Sequence, residues 1–298
     1  MNRIGFFQDL LIDPSSGKAL VYDQATESFV NETSRLFPIK EGIPIVLPEG
    51  FQQGGENLFD YIEHYGKDAI FFDYFKGQDY PATIFEQRRL HEMILAYVPS
   101  NAEMMLDIGC GNGWVAEACL PKGKTVVSAD ISLTNPLKAM EKYPSPRHFA
   151  LVADALHLPV RNEFFDVIIA AEIMEHVVSP DIFIKNLYRS IKPGGRVIIT
   201  TPYHEKLEYS LCIHCNKPTP RHAHLHSFHE KNVAGIMPES SRVTMFSFMN
   251  SYLLKLNTHV ILAYFSLSLW RKVDKMAAWL RPSALRFIMI IEKPIHPR

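Results

Sequence analysis

A run of apolar residues that ends in alternating glycines constrains this chain more than any other stretch. Residues 104–113 read MMLDIGCGNG, with glycine at positions 109, 111 and 113. The apolar lead predicts a buried strand, and the glycines predict a turn too tight for side chains that leads directly into a helix. A ligand can approach the bare backbone N–H groups there, because the start of a helix carries a positive partial charge. The G-x-G-x-G spacing differs from the G-x-G-x-x-G of dinucleotide sites, which disfavours a nicotinamide-dependent oxidoreductase.

Strand and helix patterns alternate along the chain after about residue 100. Apolar runs that predict strands lie at Met104–Ile108, Thr125–Asp130, Phe149–Val152, Phe165–Ala171 and Arg196–Thr201. Helical patterns separate them, as at Trp114–Leu120 and Ile182–Ile191. Each return to a parallel strand needs a crossover connection, so this alternation predicts an α/β fold in which helices cover both faces of a parallel sheet.

Acidic residues stand where these strands end. Asp107 belongs to the end of the first strand, Asp130 ends the second, and Asp154 follows the third. Ligands bind at the carboxyl ends of the strands in an open parallel sheet, where Asp130 can accept two hydrogen bonds from a ribose diol. Asp154 is placed to accept from an adenine amino group, with Ala155 or Leu156 against the ring. The alternatives are that Asp130 caps the next helix and that Asp154 forms an Asx-turn.

Several segments between residues 101 and 202 occur together in a specific order. They read LDIGCGNG, SADIS, ADALHLPV, FDVIIAAEIMEHV and IKPGGRVIITTP. In order and spacing they resemble a class I S-adenosylmethionine (SAM)-dependent methyltransferase of the small-molecule type. The resemblance implies a Rossmann-like, seven-stranded, mostly parallel sheet with helices on both faces, in which residues 285–293 run antiparallel beside the fifth strand. It also implies a cofactor site made of Asp107, Gly109, Cys110, Gly111, Gly113, Asp130, Ile131, Asp154, Ala155 and Glu172, with Glu172 at the boundary between cofactor and acceptor.

The chemistry implied by this resemblance needs no covalent nucleophile on the protein. The sulfonium of SAM already activates the methyl group, so the protein has to hold an acceptor lone pair in line with the S–CH₃ bond and exclude water. A neutral hydroxyl or amine acceptor must also lose a proton. His176 and His204, just beyond the fourth and fifth predicted strands, are the candidate bases. Each of them is equally compatible with a structural loop role.

The first 50 residues are similar to the small zinc-ribbon-like domain that activates several tRNA and protein methyltransferases. The segment LLIDPSSGKALVYDQATESFV and the later RLFPIKEGIPIVLPE carry this similarity. No cysteine precedes Cys110, so this copy has no thiolate zinc site. We predict a small β-rich domain without metal ligands over residues 1–50, which packs on the catalytic domain, and a helical linker or lid over residues 51–100.

A loop rich in cysteine and histidine follows the fifth predicted strand. It contains Cys212, Cys215 and a histidine series that includes His224. The ligand types and loop lengths suit tetrahedral zinc, and related methyltransferases carry a similar C-x-x-C and histidine insertion over the substrate side. We therefore predict a structural zinc site at these three residues, within an insertion of about residues 204–230. The alternative is a solvated loop with a reduced thiol pair.

Composition narrows the classes of partner. The chain has 298 residues, 47% of them apolar, and a formal net charge of −1. Bulk charge therefore gives no reason to expect a nucleic-acid partner.

The apolar stretch from Met245 to Trp270 is interrupted by polar residues, which argues against a spanning helix. We predict instead a helical insertion over about residues 250–283 that roofs the acceptor site or touches a membrane surface. The low cysteine count and the charged N-terminus favour a cytoplasmic protein.

Together these features predict a SAM-dependent methyltransferase over residues 101–298 that acts on a small or lipid-like acceptor. Two alternatives stay open at this point. The N-terminal similarity is compatible with methylation of tRNA or another macromolecule, which the near-neutral charge disfavours. The chain is also compatible with a non-catalytic, SAM-binding regulatory subunit.

Overall fold

The computed structural model describes residues 3–48, 61–77, 79–213 and 216–295. Its strands are β1 (Val21–Asp23), β2 (Ser28–Val30), β3 (Leu36–Lys40), β4 (Ile43–Val46), β5 (Met104–Ile108), β6 (Thr125–Asp130), β7 (His148–Ala153), β8 (Phe165–Ala171), β9 (Ile191–Pro202), β10 (Tyr209–Leu211), β11 (Pro218–Pro220), β12 (Arg242–Asn250) and β13 (Ala284–Glu292). Its α-helices are α1 (Arg3–Leu10), α2 (Tyr61–Phe71), α3 (Pro81–Leu95), α4 (Trp114–Cys119), α5 (Thr134–Lys142), α6 (Pro180–Ser190), α7 (Glu230–Val233), α8 (Ser251–Lys255), α9 (His259–Leu262) and α10 (Leu267–Leu280).

The predicted α/β sheet is confirmed. Strands β7, β6, β5, β8 and β9 lie side by side and pair in parallel. The strand β13 pairs antiparallel with β9, and β12 pairs antiparallel with β13 at the edge. Their central residues are buried on both faces, as in the fully buried β7, which explains their near-continuous apolar sequence.

The sheet extends beyond the seven strands that the resemblance implies. The N-terminal strands continue it to eleven strands in the order β1-β2-β3-β4-β7-β6-β5-β8-β9-β13-β12. The join is a parallel pair in which Ile45 lies opposite Val152 and Val46 opposite Ala153. Strands β1 to β4 therefore extend the edge of the parallel sheet. An unpredicted helix, α1, buries Phe6 against Phe149 of β7, with ring centroids 3.8 Å apart.

Two apolar clusters lie on the two faces of the sheet. One includes α1, the N-terminal strands and α6. The other includes α3, α4 and the helical insertion, in which Trp270 of α10 is 1% exposed. The insertion is thus anchored in the same core that supports the glycine turn after β5. Among the described residues, no helix combines the length and apolar character needed to cross a membrane.

Candidate active site

The turn after β5 has the backbone that its glycines predict. Gly109, Gly111 and Gly113 have φ of 69°, 47° and 73°, the left-handed region that other residues enter only at a cost. A Cβ on Gly109 would lie 2.1 Å from Cδ1 of Ile173, whereas one on Gly111 would meet only the carbonyl of Gly109, at 3.9 Å. The turn therefore packs tightly on one side and leaves open space at Gly111, where a ligand can approach the backbone. The Cys110 side chain is buried beneath it.

Asp107 is a buried carboxylate that the protein does not fully satisfy. It is 1% exposed, and its Oδ2 has no hydrogen-bond partner among the described residues. Burial, with a smaller contribution from the nearby charge of Asp130, raises its pKa to about 8. A buried polar atom of this kind is costly unless a ligand completes it. The residue thus fits a cofactor that brings a hydrogen-bond donor or a positive charge, as the ammonium group of SAM would.

Asp130 stands at the end of β6, next to the glycine turn. Its Oδ1 accepts from the Ser132 N–H at 3.1 Å, and its Oδ2 accepts from the Asn135 amide at 3.2 Å. Burial raises its pKa, while hydrogen bonds that include the backbone N–H groups of Gly111 and Ile131 oppose the rise. These contacts orient the carboxylate but do not make it the cap of α5, because Leu133 occupies that position. The role in ribose binding stays a prediction.

Asp154 has protein partners on both oxygens. The Leu156 N–H donates to Oδ1 at 2.9 Å, so the Asx-turn foreseen as the alternative is present. The Tyr61 hydroxyl of α2 donates to Oδ2 at 2.8 Å, and His157 Nδ1 lies 2.7 Å from the same atom. These contacts place α2 over this end of the sheet, and the adenine contact of Asp154 stays a prediction. Ala155 follows at the same strand end and is half-buried.

Glu172, just beyond β8, is held in an uncommon conformation. Its φ is 56°, and its N–H donates to the Thr200 carbonyl at 2.9 Å. Its Oε2 lies 3.1 Å from Nε of Arg286 on β13, and the guanidinium also faces Glu86 of α3 at 3.9 Å. Burial raises the pKa of Glu172, and the Arg286 charge opposes this rise. The motif pattern indicated Glu172, but no signal in the sequence indicated Arg286 or Glu86, because both belong to distant segments.

A cluster of Glu175, His176 and His224 lies next to this pair. Each residue places one ligand-type atom within 4.8 Å of the others. Burial and the charge of Glu172 raise the pKa of Glu175 well above its usual value. Burial, together with His224, lowers the pKa of His176 to about 4, so His176 is neutral at pH 7. Because the carbonyl of Ala223, 3.3 Å from His176 Nδ1, can only accept, Nδ1 carries the proton and Nε2 keeps its lone pair.

The loop that follows β9 brings His224 to this position. The N–H of Leu225 donates to the Glu175 carbonyl at 2.8 Å. His224 Nδ1 donates to Glu205 Oε2 at 2.5 Å, and such a carboxylate partner orients an imidazole and fixes its tautomer. His222 and Ala223 have φ of 57° and 56°, so the turn that presents His224 is strained, as is common at functional sites. The sequence contains the histidines but carries no signal for the Glu205 pairing.

Two predictions about histidine and zinc gain no support here. His204 is exposed, and the described contacts of its ring are with Tyr203 and His229. Cys215 lies outside the described residues, and Cys212 sits in the turn between β10 and β11, where its carbonyl accepts from the Asn216 N–H. His224, the third predicted zinc ligand, is paired with Glu205. The carboxylate and imidazoles around His224 are instead ligand types for a divalent metal between β8 and the loop.

Comparison with known proteins identifies the domain. The family described as "Methyltransferase domain" matches residues 106–199, the segment that contains the glycine turn, Asp130, Asp154, Glu172 and the Glu175–His176 pair. Residues 106–199 are a class I methyltransferase domain. Enzymes with this domain use SAM as methyl donor. Asp107 Oδ2, which has no hydrogen-bond partner among the described residues, and the open glycine turn fit that cofactor.

Two curated relatives of the methyltransferase domain have the same name. The chain is 38% identical over 107 residues to the ubiquinone biosynthesis O-methyltransferase of Chelativorans sp. (strain BNC1), and this match covers 35% of the chain and 42% of the relative. It is 31% identical over 167 residues to the enzyme of the same name from Brucella anthropi, covering 51% of the chain and 66% of the relative. Each match leaves about a third or more of the relative's own length uncovered.

A solved structure supports the fold. The [4+2]-cyclase SpnF resembles 70% of this chain over 81% of its own length, with a TM-score of 0.50 and 17% identity. A likeness at this identity shows the Rossmann-like fold alone. The chemistry of this chain has to be argued from its own site.

Proposed function

We propose that this chain is a SAM-dependent O-methyltransferase whose acceptor is a small molecule with an aromatic hydroxyl and an apolar tail, similar to a ubiquinone precursor. The observation that carries the proposal is the convergence of Glu175, His176 and His224 beside Glu172, the residue at the cofactor boundary. The names of the curated relatives support the acceptor class. The match of the methyltransferase domain supports the donor.

The chain's residues divide the work along the carboxyl edge of the parallel sheet. Asp130 and Asp154 hold the nucleoside part of SAM, while Asp107 and the glycine turn receive its methionine part. SAM supplies a methyl group on a sulfonium. As the acceptor oxygen forms the new C–O bond, the S–CH₃ bond breaks and its electron pair stays on sulfur. Glu172 is kept in place by Arg286 and separates this pocket from the acceptor. Orientation of the two reactants accounts for several kcal/mol of such a barrier.

The acceptor hydroxyl must lose its proton as its oxygen attacks. His176 is neutral, its Nδ1–H is committed to the Ala223 carbonyl, and its Nε2 lone pair is therefore available to take that proton. The Glu175 carboxyl, 1% exposed and with an unpartnered Oε2 among the described residues, completes the same pocket. We infer that the acceptor hydroxyl, directly or through a bound cation, satisfies this oxygen.

The same three groups support a second way to activate the hydroxyl. A divalent cation held by Glu175, His176 and His224 would lower the pKa of a bound hydroxyl without a protein base. It would also offset the cost of burying Glu175. The two modes differ in one measurable respect, since only the second is lost on chelation of metal ions.

The first experiment is calorimetric titration of the full chain with SAM and with S-adenosylhomocysteine, the demethylated product. We expect micromolar binding that Asp130→Ala weakens. A soluble catechol with a short apolar tail then serves as the acceptor in a methyl-transfer assay, with and without EDTA and added Mg²⁺, Mn²⁺ or Zn²⁺. Activity that survives EDTA supports activation by a protein base, and activity restored by one metal supports the cation mode. Absence of SAM binding by folded protein would refute the proposed function.

A further inference from the structure

The helical insertion of α8, α9 and α10 exposes an unusual share of the chain's large apolar side chains. We call the following residues the insertion face: Leu256, Val260, Ile261, Tyr264, Leu269, Met276, Trp279 and Leu280. Tyr264 is 89% exposed and Trp279 is 82% exposed. Single exposed apolar residues are ordinary, but a concentration of this kind on a short segment marks an interaction surface.

The insertion also carries a strong local charge. Residues 251–283 contain five basic residues and one acidic residue, a net charge of +4 in a chain whose net charge is −1. The acidic residue, Asp274, is buried and accepts from the N–H groups of Met249 and Asn250 at 3.0 and 2.7 Å. Lys272 and Lys275 of α10 are exposed beside the apolar residues. Towards solvent the insertion therefore presents aromatic, aliphatic and cationic groups and no carboxylate.

The insertion face is rigidly connected to the acceptor side of the active site. The buried Arg89 of α3 donates to the carbonyls of Leu262 and Phe265 at 2.6 and 2.7 Å and thereby holds the segment between α9 and α10. One turn earlier on α3, Glu86 faces Arg286, which pairs with Glu172 at the cofactor boundary. A series of contacts thus runs from Glu172 through Arg286 and α3 to the insertion.

We propose that the insertion face docks on an anionic phospholipid bilayer and so presents the acceptor pocket to a lipid-like acceptor that resides in the membrane. Interfacial helices combine such aromatic and aliphatic groups with flanking Lys and Arg, and an anionic leaflet attracts the cations. A second copy of the chain is a poorer occupant, because a symmetric contact would bring two faces of charge +4 together. The proposal rests on the proposed function for the identity of the acceptor, but docking itself does not require catalysis.

Vesicle flotation of the full chain tests the docking. The probes are vesicles of phosphatidylcholine alone and vesicles in which about a third of the lipid is phosphatidylglycerol. We expect binding to the anionic vesicles that salt weakens, and at least about tenfold weaker partitioning for Lys272→Glu/Lys275→Glu, because each cation near the surface contributes several-fold to binding. The matched charge control is Lys40→Glu/Lys185→Glu, which reverses two exposed charges at the end of β3 and on α6.

The apolar part of the face has its own variant and control. Tyr264→Ser/Trp279→Ser should lose vesicle binding, whereas Leu36→Ser/Ile182→Ser, which removes similarly exposed side chains elsewhere, should retain it. Circular dichroism and SAM titration check that each variant is folded. Equal binding of the variants and the wild type, or no preference for anionic vesicles, would overturn the proposal. A concentration-dependent dimer of the wild type in sedimentation velocity that these variants abolish would also overturn the proposal.

A second readout separates this proposal from the proposed function. With the soluble catechol, Tyr264→Ser/Trp279→Ser should keep the wild-type rate of methyl transfer. With a long-tailed phenol in anionic vesicles, the rate of methyl transfer by this variant should fall in proportion to its loss of vesicle binding. If no methyl transfer occurs but vesicle binding follows the insertion face, docking stands and the proposed function fails. If methyl transfer to both acceptors is normal in the variants, docking is refuted and the proposed function stands.

Discussion

The cofactor side and the acceptor side of this site are built in different ways. The cofactor side consists of residues at the ends of three adjacent parallel strands, β5, β6 and β7, which occur within about fifty residues of chain. The acceptor side joins β8, the loop after β9, α3 and β13, which are far apart in the sequence. The first is specified by backbone conformation and short motifs, whereas the second depends on side chains that only the tertiary fold brings together.

The largest effect should come from the acceptor side. His176→Ala should lower kcat by about 10²- to 10⁴-fold, the usual contribution of a positioned base, with SAM affinity changed little. Steady-state kinetics with the soluble catechol and calorimetry with SAM measure the two quantities. The control is His204→Ala, which alters the exposed alternative candidate and should leave kcat within about threefold of the wild type. A greater loss in His204→Ala than in His176→Ala would assign the base to His204.

On the cofactor side the effect should fall on binding. Asp130→Ala should weaken SAM binding by roughly 10- to 100-fold, because two hydrogen bonds to a charged acceptor are lost. At saturating SAM its kcat should stay near that of the wild type. Asp181→Ala, at an exposed position of α6, is the control. If Asp130→Ala retained wild-type affinity, the ribose role would be wrong, and its bonds to Ser132 and Asn135 would be purely structural.

A third prediction concerns the stability of the cofactor side. The folded-state pKa of Asp107, about 8, exceeds its ordinary value of 3.8, so the folded protein binds this proton more tightly than the unfolded chain does. By linkage the free energy of unfolding decreases as the pH rises from about 4 to about 8. Asp107→Asn removes that decrease, and should be more stable than the wild type at pH 8 by about 1–3 kcal/mol, with a smaller gain at pH 5.

Urea unfolding of the SAM-free protein at both pH values measures the Asp107 effect. The same variant should bind SAM more weakly, since the amide carries no charge to meet the ammonium group. A gain in stability that does not change with pH would show that Asp107 is not the buried carboxylate responsible. Asp166→Asn is an informative control, because the contribution of Asp166 to the free energy of unfolding changes with pH in the opposite direction. Hydrogen bonds from Lys192 and from backbone N–H groups lower the pKa of Asp166 despite burial.

The smallest effect is expected where α2 meets the cofactor side. Tyr61→Phe removes the hydroxyl that donates to Asp154 Oδ2, and should weaken SAM binding by about two- to tenfold, in keeping with one neutral-to-charged hydrogen bond that is only partly buried. Calorimetry measures it, with Tyr209→Phe on the exposed strand β10 as the control. Stronger binding in Tyr61→Phe would mean that the tyrosine competes with adenine for Asp154.

Sequence reasoning was most accurate where local pattern suffices. The predicted bounds of β5, β6 and β8 agree with the structure at Met104–Ile108, Thr125–Asp130 and Phe165–Ala171, because each is a mostly apolar run bounded by turn residues. The antiparallel closing strand is confirmed within one residue at each end, at Ala284–Glu292.

Prediction was weakest where distant segments pair. Nothing in the N-terminal sequence indicates that Ile45 lies opposite Val152 in a parallel pair. His224 was assigned to a thiolate zinc site on spacing alone, yet it lies with Glu175 and His176 and is paired with Glu205. Ligand spacing in a long loop does not specify which groups the loop approaches, because that depends on where its backbone is held, here at the Glu175 carbonyl.

The sequence by itself therefore determined the parallel sheet and the glycine turn. These depend on periodicity and on φ values that only certain residues adopt, and both are local properties of the chain. The tertiary structure alone decided which histidine has an available lone pair, which carboxylate oxygens are buried without a hydrogen-bond partner among the described residues and which arginine faces Glu172. Burial and electrostatic environment are sums over neighbours from many segments, so they are defined only once those segments have packed.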